Sequence, residues 1–76
     1  VPLSRTKAVL EVLRRGRDEK IATNVLRIFG ASSIDECMAT YDAVGAAERA
    51  TIDDAIARVT AGGGAAFELS VENKML

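Results

Sequence analysis

Residues 18–30 read DEKIATNVLRIFG, and this stretch decides the fold class. Ile21, Ala22, Val25, Leu26, Ile28 and Phe29 recur at helical spacing and gather on one face. Lys20, Thr23, Asn24 and Arg27 take the opposite face. The pattern is that of an amphipathic helix, and Gly30 stands where a left-handed residue would close it.

The same logic extends on both sides. Ser4 is placed to cap a helix running to Arg15, with Ala8, Val9, Val12 and Leu13 at helical spacing and Gly16 as the stop. Residues 9–13, VLEVL, also fit a short strand. Beyond Gly30, Ser33 and Glu36 have the types and spacing of a capping box. Ile34, Cys37, Met38, Tyr41 and Val44 then form a stripe that Gly45 closes. A fourth helix, over 46–61, should bury Ile52, Ala55, Ile56 and Val59. On its outer side Arg49 with Asp53, and Asp54 with Arg58, stand four apart, as ion pairs worth about 0.3 kcal/mol each.

Gly62, Gly63 and Gly64 then interrupt, because three consecutive glycines are entropically costly in a regular element. After them Phe67, Leu69 and Val71 alternate with Glu68, Ser70 and Glu72, the period of a half-buried strand. Phe67, Val71 and Met75 also fit a helix. The expected architecture is all-α. A small bundle of about four helices occupies residues 1–61, and a glycine hinge with an extended or weakly helical C-terminal tail occupies 62–76.

With 76 residues the chain has room for one domain. Two Phe, one Tyr and no Trp leave the core to aliphatic and alanine side chains, which suit helices. The net charge of −1 hides a division. Residues 1–30 carry seven basic and three acidic side chains, and residues 31–76 carry three basic and eight acidic. Such a division can hold parts of one fold together, join two copies, or steer an outside partner.

Residue types exclude much chemistry. Without histidine there is no Ser-His-Asp or Cys-His nucleophile system. One cysteine, Cys37, forms neither an internal disulfide nor a thiolate zinc site, and favours a reducing, cytoplasmic setting. It shares a stripe with Ile34, Met38 and Tyr41, so a buried thiol is expected. Asp35-Glu36 and Asp53-Asp54 diverge by about 100° on a helix and do not converge on one atom. The three glycines follow a helix and lack a Lys-Ser/Thr, unlike a phosphate-cradling loop. No apolar run approaches the roughly 20 residues of a membrane span. Neither a cofactor nor a metal is expected, and the chain is read as non-enzymatic.

Arg14, Arg15, Arg17 and Lys20 form the most suggestive patch, suited to phosphates. Against nucleic acid stand the pI of about 5.3, the absence of aromatic residues among these cations, and the acidic second half. The helix-turn-helix template fails in both registers, with Glu11 or Glu36 falling at a core position.

Residues 25–71 resemble parts of the PAS sensor family. Val25-Leu26-Arg27-Ile28-Phe29-Gly30 with Ser33-Ile34-Asp35-Glu36 is similar to that family's helical stretch. Ala47-Glu48-Arg49, Ala55-Ile56-Ala57 and Phe67-Glu68-Leu69 after the glycines are similar to its later helix and strand. The family's His-Pro-Asp-Asp is missing, and Asn24 is displaced from the family's position for that residue. The resemblance implies a sheet and a ligand cavity lined by residues such as Ile28, Phe29 and Phe67.

The leading expectation is a protein-interaction or regulatory module working through helix surfaces and the tail, with a protein partner or a second copy. Its anchors would be Arg14, Arg15, Arg17, Lys20, Phe67, Leu69 and Val71. A PAS-like sensory or signalling domain and a nucleic-acid binder using the basic half are the alternatives.

Overall fold

A computed structural model describes residues 3–76, and over them the chain folds into five helices with no strand. They are α1 (Arg5–Arg14), α2 (Glu19–Phe29), α3 (Ile34–Ala43), α4 (Ala46–Thr60) and α5 (Gly64–Met75). Helix α1 is the hub, packing on each of the other four. Ala8, Val9, Leu10, Val12 and Leu13 are all buried, so its apolar residues face several neighbours rather than one. That is why residues 9–13 also read as a strand: a helix covered on most sides carries no clean two-face pattern.

The predicted ends are largely in place. Ser4 Oγ accepts from the Lys7 amide, and Ser33 Oγ accepts from the Glu36 amide. Glu36 completes its half of the cap one residue early, accepting from Ser32 N–H rather than Ser33 N–H. Gly30 is left-handed at φ 62°, and the amides of Gly30 and Ala31 bond back to Arg27 and Leu26 in a Schellman closure. Gly45 does not close α3. It has an ordinary extended backbone and opens α4, while Val44 ends α3.

The C-terminal segment is a fifth helix, neither strand nor extended tail. A strand needs a partner edge, and the one candidate, residues 9–13, is helical. The i, i+4 spacing of Phe67 and Val71 instead buries both on the core. Phe67 keeps 3 % of its surface exposed and Val71 none, whereas Leu69 points outward at 59 %. Burying side chains of this size contributes about 1.5–3 kcal/mol each. The absence of strands among the described residues also removes the sheet that the PAS resemblance implied.

The glycines are part of the α4–α5 joint. Gly64 begins α5 at φ 82°, where a side chain would be strained. Gly63 has an ordinary backbone angle, but a β-carbon there would lie 2.5 Å from Phe67 Cδ2 and 3.1 Å from the Thr60 carbonyl oxygen. The aromatic ring packs where a side chain would otherwise sit.

Candidate functional site

Ion pairing explains much of the charge division. Arg5 pairs with Glu68 at 2.7 Å, Lys7 with Asp42 at 2.6 Å, and Arg14 with Asp35 at 3.0 Å. Each joins the basic first thirty residues to the acidic remainder, and each starts from α1. Lys7–Asp42 and Arg14–Asp35 also show that α3 runs antiparallel to α1. Arg14 has a second, longer contact to Glu11 at 3.7 Å. These pairs are largely solvated, so they orient helices more than they stabilise them.

The intrahelical pairs expected on α4 do not form. Arg49 turns to the end of α3 and donates to the carbonyls of Tyr41 and Val44 at 3.3 and 3.0 Å, with its guanidinium 5.4 Å from the Tyr41 ring centre. Asp53 faces α1 and α3 instead. Its Oδ1 accepts from the Thr6 hydroxyl at 2.6 Å and from the Tyr41 hydroxyl at 2.8 Å. Asp54 and Arg58 form no ion pair within the described residues.

The Thr6–Asp53–Tyr41 cluster borders a cleft of about 190 Å³ lined by Ser4, Arg5, Thr6, Asp53, Ile56 and Ala57. Its polar groups are already partnered. Arg5 donates to both Glu68 oxygens and to Thr60 Oγ1, and Thr60 donates to the Ile56 carbonyl. Burial, and then the hydrogen bond to Asp53, raise the Tyr41 hydroxyl above the ordinary phenol value, so it is not poised as a base. The cluster therefore reads as polar stitching between α1, α3 and α4. Cys37 is fully buried, and burial followed by the Glu36 charge pushes its thiol up, away from reactivity.

A second cleft differs in kind. Val12, Arg15, Arg17, Ser70, Asn73 and Lys74 line a space of about 150 Å³ between the C-terminal parts of α1 and α5. Since Arg5 meets Glu68 while Val12 meets this later part of α5, the two helices run in the same general direction. Arg15, Arg17 and Lys74 make no ion pair with any described residue. No carboxylate side chain lines the cleft. Of two exposed apolar side chains, Leu69 shares an α5 stripe with Asn73, and Leu76, at 97 %, follows the last residue of α5.

The expected anchors are thus divided. Arg15 and Arg17 meet in the cleft, whereas Arg14 is engaged by Asp35 and Glu11. Lys20, in the first turn of α2, is exposed and not among the lining residues. Phe67 and Val71 are taken up by the core, which leaves Leu69 as the exposed apolar residue of the three. Lys74, Ser70 and Asn73 were not anticipated. Their i, i+3 and i+4 spacing would have placed them together had the segment been read as a helix.

Within the described residues no three of His, Cys, Asp or Glu converge as a metal site, and no helix is long and apolar enough to cross a membrane. Comparison with protein-family models, with curated proteins and with solved structures finds no match to this chain.

Proposed function

We propose that this chain is a non-enzymatic interaction module that holds an acidic segment of a partner protein along the α1–α5 face. The observation that carries the reading is the convergence on one cleft of three cations that make no ion pair with a described residue, with no carboxylate in the lining and with Leu69 and Leu76 exposed on the same part of the chain. At about 150 Å³ the cleft is smaller than the roughly 300–1,000 Å³ of pockets that enclose a small-molecule substrate or cofactor. It suits one or two side chains of a larger partner. Dipole compensation at helix C-termini accounts for Arg15 and Lys74. It does not account for Arg17, which lies outside both helices. No aromatic residue lines the cleft to stack a nucleobase, which favours a protein over a nucleic-acid partner.

Fluorescence anisotropy with a labelled, acidic, leucine-containing peptide tests this. Binding should saturate, weaken with salt, and fall about tenfold in Arg15→Ala/Arg17→Ala. Arg58→Ala, which changes an exposed cation on α4, should leave it intact. Absent binding, or equal binding by both variants, refutes the proposal.

A further inference from the structure

We infer that the group the α1–α5 cleft reads is a phosphoryl group on a serine or threonine of the partner. The inference rests on the acidic-partner reading and specifies it. Arg15, Arg17 and Lys74 bring three positive charges, and Asn73 adds a neutral donor, while the Ser70 hydroxyl donates to the Ala66 carbonyl. A single carboxylate would neutralise one of the three cations and offer two oxygens. A phosphoryl monoester carries a charge of about −1.5 to −2 at neutral pH and offers three strong acceptor oxygens. Two arginines can each engage such a group through paired N–H donors, while lysine acts as a point charge. The cleft volume of about 150 Å³ admits a phosphoryl group but leaves no enclosed room for a nucleoside. Val12 is 3 % exposed at the cleft, and Leu69 and Leu76 offer apolar contact for residues flanking the modified side chain.

The test uses the full chain and three labelled peptides of one leucine-containing sequence, with serine, glutamate or phosphoserine at the central position. A short oligothymidylate and inorganic phosphate serve as further probes. The phosphoserine peptide should bind at least about tenfold tighter than the glutamate peptide. Its affinity should fall severalfold between about pH 7 and about pH 5.5, as the phosphoryl group takes up its second proton near pH 6. The glutamate peptide should change little over that range, because a free glutamate titrates near pH 4.3. Arg17→Ala and Lys74→Gln should remove the phosphoserine advantage, with unchanged circular dichroism showing that both variants fold.

Equal affinity for the glutamate and phosphoserine peptides overturns the inference and leaves the acidic-partner reading standing. Binding of neither peptide overturns both. Tighter binding of oligothymidylate than of the phosphoserine peptide, or inorganic phosphate competing as well as that peptide, also overturns the inference.

Discussion

Substituting Gly63 by alanine tests the α4–α5 joint. At φ −74° alanine is backbone-compatible, and on conformational entropy alone it would stabilise by about 0.4–1 kcal/mol. The structure reverses that sign. The new β-carbon would lie 2.5 Å from Phe67 Cδ2 and 3.0 Å from Cγ, with Thr60 O at 3.1 Å behind it. Phe67 is 3 % exposed and wedged against the core, so its ring cannot swing away freely. Overpacking of this kind costs about 1–3 kcal/mol, so the net loss should be up to about 2.5 kcal/mol. A chain of 76 residues has a total stability of about 4–11 kcal/mol, so the loss is measurable and survivable.

Phe67→Leu supplies the control. It costs about 1.5 kcal/mol itself, but leucine can turn its methyls away from position 63. In that background Gly63→Ala should keep only its entropic gain of about 0.4–1 kcal/mol, giving a coupling of about 1–3 kcal/mol in a urea-denaturation double-mutant cycle. A Gly63→Ala protein more stable than the parent, or additive effects in the cycle, would refute the proposed packing of Phe67 over Gly63.

Two further outcomes follow from the polar contacts of α1. Asp53→Ala leaves the Thr6 and Tyr41 hydroxyls without their shared acceptor and should cost about 2–3 kcal/mol in chemical denaturation, whereas Asp53→Asn keeps an acceptor oxygen and should recover most of the loss. Equal losses in the two variants would contradict the contact. Glu68 is held below the usual carboxylate value by its hydrogen bond to Arg5, so its contribution is present above the unfolded value near pH 4.3 and disappears as pH falls through the folded one. Glu68→Gln should therefore lower thermal stability at neutral pH and converge with the parent in acid; a gap unchanged across the titration would exclude this linkage.

How far the sequence disclosed the fold depended on how many faces each helix covers. Helix α2 was legible because Ile21 and Val25 are buried on one side while Thr23 and Arg27 meet water on the other. The bounds of α1 were legible from Ser4 and Gly16, although its burial on several sides obscured its type. Helix α5 was ambiguous because Leu69 is apolar yet exposed, which completed a false alternation with Phe67 and Val71. The same ambiguity hid part of the cleft. Arg15 and Arg17 stood out as a basic run, but Lys74 joins them only when α5 is helical and packed along α1. Local spacing likewise suggested Arg49–Asp53, whereas the longer-range partners Thr6 and Tyr41 claim the carboxylate. Sequence separation carries no information about such competition.

The central position of α1 has a consequence for biosynthesis. The helix that every other one packs against emerges from the ribosome before its partners, and Phe67 and Val71, which complete its cover, emerge after α2, α3 and α4. Until they do, Val9, Leu10 and Val12 must wait without their full enclosure, in a nascent chain exposed to chaperones and to other copies of itself. Closure of α5 on α1 is therefore the step that completes the cover of these residues, and slowing translation near residues 62–66 would lengthen the interval before it.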